Sequence, residues 1–123
     1  MAWQNYKQLH VWNKAMILTD AVYNLIDKLP KSELFALSSQ LRRAVVSIPS
    51  NIAEGSGRAS DREFKQFLSI AKGSVYEVET QLLICMRRNY LSPTDTKTAL
   101  KLCDEVSRMI TALILHIDKK VLK

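Results

Sequence analysis

Seven cations carry the chemistry that this sequence supports best. Arg42, Arg43, Arg58, Arg62, Lys65, Arg87 and Arg88 are phosphate-contacting residue types, and a guanidinium grips a phosphate through two parallel hydrogen bonds. On helix faces such side chains meet nucleic-acid backbones more readily than base edges, so they predict RNA or DNA binding with steep salt dependence and little sequence discrimination. Lys72, Lys101, Lys119, Lys120 and Lys123 add positive surface. In all, 18 Lys and Arg against 12 Asp and Glu leave a formal charge of +6, an excess that favours anionic partners. The alternative is a solvated basic surface in which some cations pair with Asp61, Glu63 or Glu105.

A second constellation is polar rather than basic. Gln40, Arg43, Ser47, Asn51, Glu54 and Arg58 recur at spacings of three and four, as residues on one side of a helix do. Ser74, Glu77 and Gln81 repeat that spacing further on. If the two stripes face each other, Arg43 and Asn51 reach Glu77, and Asn51, Glu54 and Glu77 become a polar network that fixes helix register.

Catalysis finds little support. Ser47, Ser50 and Ser56 are available hydroxyls, but His10 and His116 lie near opposite ends of the chain, so no nucleophile and base are brought together by sequence. Cys85 and Cys103 lack Cys-x-x-Cys spacing and a nearby His, which predicts two reduced, buried thiols and no metal. Gly55-Ser56-Gly57 has neither the Gly-Lys-Ser/Thr continuation nor the preceding strand of a phosphate loop. No catalytic, cofactor-binding or metal-ligating residue is assigned, and the protein is read as a non-enzyme.

The elements that must hold these side chains are four amphipathic segments. Val11, Ala15, Leu18, Val22, Leu25 and Leu29 alternate by four and three, giving a first helix stopped by Pro30. Leu37, Leu41, Val45, Ile48 and Ile52 hold one phase through Pro49, which predicts a single second helix with a bend, since an interior proline removes a hydrogen bond and clashes with the carbonyl four residues back. Gly55 and Gly57 are candidate left-handed C-cap positions. Ser60-Asp-Arg-Glu63 is a capping box that opens a long third helix. Its stripe of Phe64, Phe67, Ala71, Val75, Val78, Leu82 and Cys85 extends towards Tyr90. Gly73 inside that helix predicts close approach by a neighbouring helix. After the turn at Leu91-Ser-Pro-Thr-Asp, a fourth helix follows from Ala99, Cys103, Val106, Ile110, Leu113, Ile117 and Val121. The short connections require antiparallel neighbours, so the fold class is all-α, an up-down-up-down four-helix bundle in one domain over residues 1–123.

The motifs Val11-Trp12-x-Lys14-Ala15-Met16, Leu29-Pro30, Gln40-Leu-Arg-Arg-Ala44, Ser47-Ile-Pro-Ser-Asn-Ile-Ala-Glu-Gly55, Gly57-Arg58 and Phe67-Leu-x-Ile-Ala-x-Gly-Ser74, with Glu77 and Glu79, resemble the four-helix-bundle proteins encoded in intervening sequences of bacterial 23S ribosomal RNA genes, also labelled S23 ribosomal proteins. The likeness runs from Leu9 to Ile117. It implies a homopentamer around a central channel. It also implies similarity to the accessory variability determinant protein of diversity-generating retroelements, which binds nucleic acid and a reverse transcriptase through a basic surface. Five copies would multiply +6 into a strongly positive ring.

The expected function is therefore that of a non-enzymatic, homo-oligomeric nucleic-acid-binding protein, with RNA the first candidate. The alternative is a scaffold that docks a protein such as a reverse transcriptase without touching nucleic acid. No run reaches the roughly 18 apolar residues of a membrane span, and the first residues lack an apolar signal region, which predicts a cytoplasmic protein with no membrane partner.

Overall fold

The computed structural model describes the backbone of residues 5–122 and the side chains of residues 5–119. Lys120, Val121 and Lys123 of the expected tail therefore lie outside the described side chains. Four helices account for the architecture: α1 (His10–Ile26), α2 (Leu37–Ser56), α3 (Asp61–Arg87) and α4 (Pro93–Leu122), with 3₁₀ turns at Tyr6–Gln8 and Lys31–Glu33. Each helix packs against the next, and α1 closes the bundle against α4.

Bonds between the helices give their directions. Gln40 meets Gln81 and Ser47 meets Ser74, so α2 and α3 run antiparallel. Lys14 pairs with Glu105 and Lys28 with Asp95, which sets α1 antiparallel to α4. Lys65 pairs with Asp118 while Thr96 bonds the Met86 sulfur, and α3 and α4 are likewise opposed.

The apolar stripes enter one core. Ala15, Leu18 and Val22 of α1, Leu41, Val45, Ile48 and Ile52 of α2, Phe64, Leu68 and Leu82 of α3, and Val106, Ile110 and Ile117 of α4 are all fully or almost fully buried. Burying a Leu, Ile, Val or Phe side chain contributes about 1.5–3 kcal/mol, so this layer supplies the main favourable term for folding. Cys85 and Cys103 are free and buried within it.

Helix ends follow local chemistry. Helix α1 stops at Ile26, a turn before the expected Leu29, and Lys28 and Leu29 continue in tight turns to the carbonyls of Leu25 and Ile26. The residue before a proline avoids helical geometry, so the helix could not run on through Leu29. Ser60 caps α3 by accepting from the Glu63 amide at 3.1 Å. Asn89 ends α3 in a left-handed conformation, φ 62°, with Tyr90 N–H donating to the Cys85 carbonyl at 2.9 Å and Asn89 N–H to that of Met86 at 3.0 Å. This pair of bonds is the Schellman arrangement, with Asn in the place usually held by Gly.

Two glycine expectations are corrected. No glycine has a positive φ: Gly55 lies within α2 and Gly57 caps it in ordinary right-handed geometry. The close helix approach occurs at Gly55, where an added Cβ would stand 2.6 Å from the Phe67 Cβ. An added Cβ at Gly73 would meet nothing within 4 Å. Periodicity alone does not reveal which interior glycine faces another helix.

Candidate nucleic-acid interface

The seven cations divide according to what each touches. Arg58 bonds Glu54 one turn back at 2.9 Å, and its guanidinium also lies over the Phe67 ring, 4.8 Å from the centroid. Lys65 reaches Asp118 of α4 at 2.6 Å. No ion pair among the described residues engages Arg42, Arg43, Arg62, Arg87 or Arg88. Arg43, Arg62, Arg87 and Arg88 are exposed, and Arg42 is half-buried. The structure distributes them rather than forming one patch. Arg42 and Arg43 lie on α2, where they border an open groove with Val46 and Ser47. Arg62 and Lys65 border a second groove, between α3 and α4, with Ile70, Ile114 and Asp118. Arg87 and Arg88 end α3.

The expected polar network takes a different form. Neither Arg43 nor Asn51 bonds Glu77. Asn51 Nδ2 instead donates to the Ser47 carbonyl of its own helix at 2.7 Å, and Glu54 pairs with Arg58 along α2. The bonds that cross from α2 to α3 are the Ser47–Ser74 hydroxyl pair at 2.5 Å and Gln81 Nε2 to Gln40 Oε1 at 3.4 Å; Gln81 Nε2 also approaches Glu77 Oε2 at 3.5 Å. Gln81 is buried, and its Oε1 has no partner.

The side chains around Pro49 serve their own helix. Ser47 Oγ donates to the Ala44 carbonyl at 2.8 Å, Ser50 Oγ to that of Val46 at 2.8 Å, and Asn51 Nδ2 to that of Ser47. Pro49 has no N–H, which costs an interior helix about 3 kcal/mol. The carbonyl that Pro49 leaves without its helix donor is that of Val45, and the three side-chain bonds fall on its neighbours Ala44, Val46 and Ser47. Helix α2 runs unbroken through Pro49. Ser56 Oγ is also committed, to the Ala53 carbonyl at 2.8 Å.

Among the described residues titration is perturbed at three groups. Burial pushes the Cys85 thiol up to about 11 and the Cys103 thiol up to about 12, with the carboxylates of Glu33 and Glu79 adding smaller contributions. Both remain protonated near neutral pH, in contrast to reactive cysteines. The Ser92 amide, then Lys28, hold the Asp95 carboxyl below its ordinary value. The Ser92 amide donates to Asp95 Oδ2 at 2.9 Å, while the Asp95 amide donates to Ser92 Oγ at 3.0 Å. This reciprocal cap, with Pro93 as the first helical residue, opens α4. The sequence signal is Ser-Pro-Thr-Asp, in which Asp replaces the usual Glu or Gln of a capping box.

Sequence reasoning also passed over Phe35, in the connection between α1 and α2, whose side chain is 93% exposed beside a half-exposed Leu34. Among the described residues no group of three or more His, Cys, Asp or Glu could hold a metal, and no helix is long and apolar enough to cross a membrane. His10 borders an apolar groove formed by Leu9, Val11, Met109, Ala112 and Leu113, remote in sequence from the serines of α2.

Comparison with known proteins places this geometry. No curated protein matches the chain. A solved structure, the 1.70 Å crystal structure of a protein of unknown function from the S23 ribosomal protein family of Bacteroides thetaiotaomicron VPI-5482, is similar at 25% identity. The match covers 85% of this chain and 97% of that one, with a TM-score of 0.79. The family model of the 23S rRNA-intervening sequence proteins matches residues 7–112. With that match spanning nearly all of the bundle, the chain belongs to the 23S rRNA-intervening sequence protein family.

Proposed function

We propose that this protein is a non-enzymatic, homo-oligomeric nucleic-acid-binding protein, with RNA as its first ligand, that holds phosphate backbones through arginines on helix surfaces. The observation carrying this reading is the set Arg42, Arg43, Arg62, Arg87 and Arg88, none of which is neutralised by a carboxylate in the described structure, on a chain of formal charge +6. Paired cations gain little from a phosphate, because they must first surrender a partner. Unpaired guanidinia release counterions at once, which is the main driving force for binding a polyanion. Arg58 and Lys65, held by Glu54 and Asp118, are secondary contacts. Assembly, as the family likeness implies, would repeat the scattered arginines around a ring and make weak single contacts multivalent.

The hydroxyls of Ser47, Ser50 and Ser56 already donate within the protein, and neither cysteine is ionised near neutral pH. Both features favour a binding role over nucleophilic chemistry. A second reading, a scaffold that docks a protein partner such as a reverse transcriptase, draws support from the exposed Phe35 and Leu34, since aromatic anchors dominate protein interfaces. A native mass spectrum of the protein as purified separates the two. Subunit multiples carrying co-purified nucleic acid support the first, and nucleic-acid-free protein that also fails to take up added RNA favours the second.

A further inference from the structure

The connection between α1 and α2 holds an aromatic ring that the fold does not use. Glu33 to Ala36 form a tight turn, closed by the Ala36 amide donating to the Glu33 carbonyl at 3.0 Å, with Leu34 and Phe35 at its tip. Phe35 is 93% exposed. The turn itself is anchored. Glu33 accepts from the Tyr90 hydroxyl at 3.0 Å through Oε2 and from the Leu37 amide at 3.4 Å through Oε1, so one carboxylate ties the tip to the end of α3 and the start of α2. A ring carried on an anchored turn loses less freedom on binding than one on a mobile loop.

The surroundings of this tip are basic. Arg87 and Arg88 come just before Tyr90 at the end of α3, and the Lys28–Asp95 pair brings the start of α4, with Lys97, to the same end of the bundle. Lys31 and Arg42 line a groove beside the turn together with Leu34 and Asp27. Of these cations only Lys28 has an ion pair among the described residues. Asp27, Glu33 and Asp95 are the carboxylates here; Asp95 is held by Lys28, and Glu33 by the two bonds that anchor the turn. Positive charge is therefore left in excess around the ring.

The apolar area at the tip decides between partners. A Phe side chain offers about 150–250 Å², and a standard protein partner covers about 800 Å² with charged residues depleted at its centre. Phe35, a half-exposed Leu34 and a surround of cations fit that poorly. A nucleobase needs only one ring face, and its stacking brings phosphates beside the cations. Bases inside a duplex already stack on one another, so such a ring selects unpaired nucleotides.

We propose that Phe35 is a stacking platform for an unpaired base of single-stranded or looped RNA, with Lys31, Arg42, Arg87 and Arg88 holding the flanking phosphates. The inference rests on the nucleic-acid reading proposed above and deepens it, since it locates a site at one end of the bundle and makes its ligand single-stranded.

The test is equilibrium binding of a single-stranded RNA oligonucleotide and of a blunt RNA duplex of the same length to the wild type, Phe35→Ala, Phe35→Leu and Phe35→Tyr, with far-UV circular dichroism to confirm helicity. Phe35→Ala is expected to weaken single-strand binding about 5- to 100-fold and to leave duplex binding and the salt dependence unchanged, because no charge is removed. Phe35→Leu gives the same loss, and reads it alone if the alanine variant fails to fold; Phe35→Tyr keeps the affinity within about twofold. Single-strand affinity that survives both Phe35→Ala and Phe35→Leu, that leucine restores, or that falls no further than duplex affinity would overturn the stacking site and leave the nucleic-acid reading standing. A wild type that binds neither RNA at about 50 mM salt would overturn both.

Discussion

Gly55 of α2 lies so close to Phe67 of α3 that a Cβ on the glycine would stand 2.6 Å from the Phe67 Cβ, with Phe64 Cδ1 at 3.0 Å on the same side. These are atoms near the backbone and in a ring buried in the core, which cannot simply swing away. Gly55→Ala is therefore expected to force the α2–α3 packing apart and destabilise the fold by about 1–3 kcal/mol, as overpacking of a close-packed core does. Chemical denaturation measures it, and an unchanged midpoint would mean that the helices separate at no cost.

Gly73 predicts the opposite sign. Its added Cβ meets open space, so Gly73→Ala gains helix propensity and should stabilise the unassembled chain by up to about 1 kcal/mol. Denaturation at protein concentrations below assembly gives the number. The contrast between two interior glycines separates a packing requirement from a surface one.

The cap on α4 is a third local device. Removing the Ser92 hydroxyl frees the Asp95 amide that it accepts from, and Ser92→Ala should cost about 1 kcal/mol. A thermal melt would show a fall of several degrees for a domain of this size. The Asp95 carboxyl, held below its ordinary value by the Ser92 amide and Lys28, contributes stability above the unfolded-state pKa that is lost as acid protonates it.

The thiols give an alkaline dependence. Cys85 and Cys103 titrate at about 11 and about 12 in the folded chain, against 9.0 for an ordinary thiol. As pH rises past 9.0 the unfolded chain loses these protons first, so stability falls between 9.0 and the folded values and is fully retained below that window. Comparing denaturation at pH 8 and pH 10 should show a smaller loss for Cys85→Ala/Cys103→Ala than for the wild type. Equal losses would show that the thiols are not the source.

The bundle was legible because its helices repeat at three and four, and the α2 stripe kept its phase through Pro49. Bonding partners were less so. Arg43 and Glu77 have the right spacing on their own helices, yet the cross-helix bonds belong to Ser47–Ser74 and Gln40–Gln81, because depth and rotation of each helix decide the meeting pair. Spacing likewise does not separate the seven cations, while the structure pairs Arg58 and Lys65 and gives the other five no ion pair among the described residues. Phe35 was missed because an exposed aromatic has no periodic signature; only its place in the folded chain reveals it.

Equilibrium binding of a structured RNA as salt rises from about 50 to 200 mM reads out whether Arg42, Arg43, Arg62, Arg87 and Arg88 hold nucleic-acid phosphates. Log K is expected to fall linearly with log salt, and Arg43→Gln or Arg62→Gln to lower affinity for all sequences alike and to reduce the slope by about 0.7–0.9 per contact removed. Assembly multiplies that reduction by the number of copies in contact. Absence of binding at about 50 mM salt, or a slope that none of the arginine substitutions changes, would contradict it.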